Sequence, residues 1–135
     1  MENWNWRNER EAFFGALQGL TLKSIEGMKE GEGVIIFTTE CGRVFEMYHD
    51  QNCCESVYIC DVVGDVPDLI GTPILMAEES TKDDPENDEL GMWTFYKLAT
   101  RKGYVDLRWY GSSNGYYSVG VDFVEVMPEA ETADE

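Results

Sequence analysis

The sequence has a single histidine, His49, and ten lysines and arginines against 27 aspartates and glutamates, a formal net charge of −17. A chain so short of cations is poorly suited to neutralising a phosphate backbone, so direct duplex nucleic-acid binding is not expected. No apolar run approaches the roughly 20 residues that span a bilayer as a helix, and no signal-peptide pattern opens the sequence. Cysteine occurs four times, at Cys41, Cys53, Cys54 and Cys60. The two-residue spacing of paired zinc ligands is missing. So are a glycine-rich phosphate loop leading into a helix and a serine nucleophile elbow. These absences point to a non-enzymatic cytoplasmic protein with no catalytic residues, no metal and no cofactor.

What is present is enough for one folded domain. Hydrophobic residues make up 43% of 135 positions, and 17 residues are aromatic, too many for a disordered acidic chain. The charge is unevenly spread. Glu78, Glu79, Asp83, Asp84, Glu86, Asp88 and Glu89 face only Lys82, a net −6 over 78–89. Residues 125–135 add −5 with no base, whereas residues 90–124 are +2 and hold nine of the aromatics. An acidic loop, an acidic tail and a slightly basic aromatic segment are therefore expected. The plain reading of the acidic stretches is solvation; the sharper one is a surface that competes with nucleic acid for a basic protein.

The chain opens with a helical pattern over about residues 5–18. Asn5 or Asn3 would cap it, Trp6, Phe13, Phe14 and Leu17 share a stripe, and Gly19 stops it. Trp4 and Trp6 need a surface to pack on, whether the domain's own core, a partner or a second copy in a homo-oligomer. Strand patterns follow at 21–28, 33–39, 43–49, 55–62, 73–79, 93–100, 104–110 and 117–126. The expected fold class is α+β: one antiparallel, sheet-dominated domain over 1–126 with an N-terminal helix, then an acidic tail over 127–135.

Two hairpins show the same turn pattern. Thr39-Glu40-Cys41-Gly42 and Thr100-Arg101-Lys102-Gly103 each place glycine third in a three-residue loop, where a left-handed residue closes a bulged turn. The first then pairs Phe37 with Phe45 and Ile35 with Met47. The second pairs Phe95 with Trp109, which sends Tyr96, Leu98, Tyr104, Asp106, Arg108 and Tyr110 to the opposite face.

That face is the best candidate site. Tyr96, Arg108, Tyr110, Asn114 and Tyr116 are its contact residues, because aromatic faces stack on planar groups and a guanidinium holds carboxylate or phosphate bidentately. Trp93, Phe95 and Trp109 are assigned to the core. The cysteines are expected to be buried free thiols. A zinc site or a Cys54 nucleophile using His49 as base is a weaker alternative, and Asp61, Gly64-Asp65 and Asp68 read as a polar turn.

Three segments carry a resemblance: His49-Asp50-Gln51-Asn52-Cys53-Cys54-Glu55-Ser56-Val57; Gly64-Asp65 with Asp68-Leu69-Ile70-Gly71-Thr72-Pro73-Ile74-Leu75; and residues 93–117. Over about residues 20–124 the sequence resembles a family of small proteins of unassigned chemistry that bacteriophage and prophage genomes commonly encode. The resemblance implies an antagonist of a host defence system, in the class that includes anti-CRISPR proteins. Two mechanisms fit. One is binding a host defence protein, with the acidic segments as a nucleic-acid mimic. The other is sequestering a nucleotide signal, as small β-rich Thoeris antagonists do, with the Arg108 face as the pocket.

Overall fold

The computed structural model describes residues 9–127. Within them run β1 (Glu9–Glu11), β2 (Leu22–Glu26), β3 (Val34–Thr39), β4 (Val44–Tyr48), β5 (Ser56–Val63), β6 (Met76–Asp83), β7 (Leu90–Thr100), β8 (Gly103–Ser113) and β9 (Asp122–Val126). They form two antiparallel sheets, one in the order β1-β9-β4-β3-β2 and one in the order β5-β8-β7-β6. Alternate side chains of both sheets meet in one core: Ile35, Phe37, Phe45, Met47 and Phe123 from the first, Tyr96, Leu98, Val105, Leu107 and Trp109 from the second.

The expected α+β class with an N-terminal helix gives way to an all-β fold. Residues 5–8 of that helix and 128–135 of the acidic tail lie outside the described residues. Over 9–18 the chain forms β1, paired with β9, and a single 3-10 turn over Phe14–Leu17. The apolar stripe was too short to distinguish the two outcomes. One turn already carries Phe14 and Leu17 to the same side, where both are buried, while Phe13 is 75% exposed. Phe14 then links the sheets, with its ring 4.6 Å from Tyr96 and 5.4 Å from Phe123. Arg10 on β1 is also held by Glu125 on β9 at 2.8 Å, and Ala12 N–H donates to Phe123 O at 3.0 Å. Extended backbone at the sheet edge therefore finds partners that a helix there would forgo.

The first hairpin has the expected register, Phe37 opposite Phe45 and Ile35 opposite Met47, with Gly42 at φ +95°. The second is shifted by one residue. Thr100 pairs with Gly103, Phe95 with Arg108 and Thr94 with Trp109, leaving a two-residue connection at Arg101-Lys102. Thr100 Oγ1 closes it, accepting from Lys102 N–H at 3.1 Å and donating to Asp68 O at 2.6 Å. Gly103 is not there to adopt a left-handed turn. A Cβ at that position would stand 2.7 Å from Asp68 Oδ2, so any larger residue there would have to displace the Asp68 carboxylate.

Candidate functional site

A one-residue shift in a strand exchanges its two faces. Tyr96 and Leu98, expected outside, are fully buried; Trp93 and Phe95, expected inside, stand half-buried on the outer face of the four-stranded sheet. Tyr96 is thus removed from the candidate site. Its hydroxyl donates to Glu79 Oε2 at 2.8 Å, and burial pushes its pKa up. Trp109 is in the core as expected, 1% exposed.

Arg108 and Tyr110 do lie on the outer face, where the strand registers arrange side chains in three cross-strand rows. The first runs Tyr58, Tyr110, Trp93, Lys82; the second Asp61, Arg108, Phe95, Ser80; the third Val63, Asp106, Lys97, Glu78. Ring centroids along the first row are 6.4 Å apart for Tyr58 and Tyr110 and 5.4 Å for Trp93 and Tyr110. The three rows carry three basic side chains and three acidic ones. In a chain of net charge −17 this face is neutral.

Arg108 sits at its centre. One Nη2 hydrogen bond reaches Asp61 Oδ2 at 3.3 Å, with both side chains about two-fifths exposed, 43% and 42%. A pair so exposed is worth at most about 1 kcal/mol, so an incoming group can replace Asp61 at little cost. Arg108 Nε is buried and meets no hydrogen-bond partner among the described residues. Beside the guanidinium lies a shallow hollow of about 260 Å³, with Phe95, Lys97, Asp106 and Val63 among its walls.

The remaining candidates are not brought to this centre. Asn114 and Tyr116 lie in the turn beyond β8. There Tyr116 N–H donates to Asn114 Oδ1 at 2.9 Å, and the Tyr116 ring is 81% exposed. The acidic segment is not one loop. Glu78–Asp83 belong to β6, with Glu78 on the outer face opposite Lys97 and Glu79 on the inner face opposite Tyr96. Asp84, Glu86, Asp88 and Glu89 occupy the β6–β7 connection, closed by Asp84 N–H donating to Gly91 O at 2.8 Å. Asp84 Oδ2 in turn accepts from the Tyr110 hydroxyl at 2.6 Å.

His49 is fully engaged elsewhere. Nε2 lies 2.7 Å from Glu55 Oε2 and Nδ1 lies 2.7 Å from Gly120 O. Gly120 O and the Glu55 carboxylate can both accept, so the protonated imidazole satisfies both contacts at once. Both ring nitrogens are occupied by these contacts rather than by a cysteine. Burial alone would lower its pKa, but the hydrogen bonds to Glu55 and Gly120 and the nearby carboxylates raise it. Glu55 is held at about 2, chiefly by the His49 hydrogen bond and, against burial, by the N–H groups of Asn52 and Cys53. Of the cysteines expected to be buried free thiols, Cys41 and Cys60 are free, Cys41 exposed and Cys60 half-buried, whereas the exposed Cys53 and Cys54 are joined to each other.

Sequence reasoning missed Tyr58, Asp61, Trp93, Phe95 and Lys97 as members of the face. The β7 residues follow from the two-residue connection at Arg101-Lys102, which opposes Phe95 to Arg108 and turns Trp93, Phe95 and Lys97 outward. For Tyr58 and Asp61 no signal existed, because nothing local shows that β5 borders β8.

Fold and site define a small all-β domain of two antiparallel sheets with one neutral, aromatic outer face. Residues 18–123 match the family described as a domain of unknown function, DUF7448, and the chain belongs to that family. Comparison with curated proteins and with solved structures gives no match. No helix among the described residues is long and apolar enough to cross a membrane.

Proposed function

We propose that this chain is a non-enzymatic binding protein that docks a protein partner on the outer face of the β5-β8-β7-β6 sheet. The observation that carries the reading is the row Tyr58-Tyr110-Trp93 beside Arg108 on a charge-balanced surface. Interface centres are poor in net charge and rich in tyrosine, tryptophan and arginine, and these residues contribute most of the binding energy. The resemblance to proteins encoded in phage genomes supports a host defence protein as the partner and antagonism, of the anti-CRISPR kind, as the outcome. The acidic segment 78–89 is a weaker candidate for a continuous nucleic-acid mimic, since Glu78 faces Lys97 and Glu79 faces Tyr96. Its turn over 84–89 supplies an acidic margin that favours a basic partner.

A second reading, capture of a nucleotide-derived signal, is favoured by the unpartnered Arg108 Nε and the hollow beside it. The hollow's 260 Å³ falls below the roughly 300–1,000 Å³ usual for ligand pockets, which favours the protein partner. Mass spectrometry of protein captured from a bacterial lysate separates the two. A co-purifying protein with no nucleotide released on denaturation supports the first reading; a released nucleotide without a protein partner overturns it.

A further inference from the structure

We propose that the free edge of β6 binds an extended, lysine- or arginine-rich segment of a partner protein by strand addition. Sheet edges expose unpaired backbone groups, and most edges of this fold are already covered or short. The start of β2 and the residues before it are met by residues 70–74, with Gly71 N–H donating to Leu22 O at 3.0 Å and Ile74 N–H to Leu20 O at 2.9 Å. β5 is met by Gly31 and Glu32, which exchange bonds with Ile59 at 2.8 and 3.0 Å. β1 spans three of the described residues.

β6 is eight residues long and borders only β7 within its sheet. The bond from Asp84 N–H to Gly91 O sets the alternation of the ladder. Residues 78, 80 and 82 direct their backbone groups to β7, and Glu79, Thr81 and Asp83 direct theirs away. Among the described residues no backbone group meets the outward N–H or C=O of those three. Every residue from Glu78 to Asp83 is exposed.

Charge selects the occupant. Glu78, Glu79 and Asp83 lie on the strand and Asp84, Glu86, Asp88 and Glu89 continue it, against the lone Lys82. Two copies paired edge to edge would bring these carboxylates together, so the edge rejects self-association. A basic strand gains both the backbone ladder and the charge complement. This inference stands independently of the outer face, because it uses backbone groups at the sheet edge rather than the Arg108 rows.

The probe is a fluorescent peptide of alternating lysine and valine, of β6's length, titrated against the full chain by anisotropy. Two N-methylated forms carry methyl groups on alternate residues in opposite phases, so only one form blocks the N–H groups facing β6. The expected result is saturable binding that weakens with salt and drops about tenfold or more for one phase only. Thr81→Pro, which removes an outward N–H that β7 does not use, lowers binding similarly while the chain stays folded by circular dichroism. A glutamate–valine peptide does not bind. Equal binding of both methylated phases would reduce the effect to unspecific charge attraction and overturn the proposal, as would absence of binding by the lysine peptide.

Discussion

The Tyr110 hydroxyl donates to Asp84 Oδ2 at 2.6 Å and accepts from Asn87 Nδ2 at 3.1 Å, which ties the acidic β6–β7 connection to the aromatic row of the outer face. Tyr110 thus has two tasks. Its ring lies between Tyr58 and Trp93, and its oxygen positions the turn that borders them. Gly91 allows this close approach, since a Cβ there would come 2.6 Å from that hydroxyl.

Removing the hydroxyl alone separates these tasks. Tyr110→Phe keeps the ring row and loosens the turn. Stability should fall by about 1 kcal/mol, the ordinary net worth of such a hydrogen bond. Amide exchange should accelerate at Glu86 and Glu89, whose N–H groups are held by the Asp84 and Asn87 side chains, and stay unchanged in β4.

His49 and Glu55 make stability depend on pH in a defined direction. The folded pKa of His49 lies above its ordinary 6.5, so its contribution is complete below 6.5 and disappears as pH rises through the raised value. Glu55 acts oppositely: its contribution is present above its ordinary 4.5 and lost as pH falls through about 2. Urea unfolding of the wild type should show declining stability as pH rises above 6.5. His49→Gln should be less stable at pH 6 and lack that slope.

Glu125 holds the β1-β9-β4 edge together at its base. Its carboxylate accepts from Arg43 Nε at 2.8 Å and Nη2 at 3.0 Å, and from Arg10 Nη2 at 2.8 Å. The Arg43 hydrogen bonds chiefly, and Arg10 after them, hold its pKa at about 2 despite burial. The stabilisation is therefore present above 4.5 and lost as pH falls through about 2. Glu125→Gln should cost about 1–2 kcal/mol at pH 7, since the carboxylate is buried but Arg10 and Arg43 are 61% and 42% exposed and water takes up part of what they lose. Its acid transition, followed by tryptophan fluorescence, should also be shallower than that of the wild type.

Gly64 occupies φ +114°, and a Cβ there would collide with Tyr104 O. Backbone cannot yield as a side-chain tip can, so Gly64→Ala should destabilise by roughly 2 kcal/mol or more. Gly31→Ala makes the contrast, because its φ of +89° is comparable and nothing lies within 4 Å of its Cβ. Thermal melts of the two variants should differ by the cost of the collision.

The legible parts of the fold were those written in local turn chemistry. Gly42 closes the first hairpin through its own conformation, so Phe37 and Phe45 could be paired from sequence. Gly103 has the same position in a similar motif but pairs with Thr100, whose hydroxyl is held by the carbonyl of Asp68, distant in sequence, and that difference accompanies Tyr96 inside and Phe95 outside. The N-terminal stripe failed for a related reason: Phe14 and Leu17 fit one 3-10 turn as well as a helix, and β9 decided the outcome. Arg108 and Tyr110 were found because their parity on β8 is the same in either register. Burial of His49 against Glu55 and Gly120 depends on strands brought together only in the folded chain.

The measurement that bears most directly on the outer face is the affinity of the captured partner for Trp93→Ala, Arg108→Ala and the control Lys23→Ala, which lies on β2 of the other sheet. All three should retain the wild-type fold by circular dichroism. The two face variants should bind at least about tenfold more weakly, as loss of a central aromatic or arginine contact costs about 2 kcal/mol, and Lys23→Ala should bind as the wild type does. Undiminished binding by both face variants would contradict the assignment of this face.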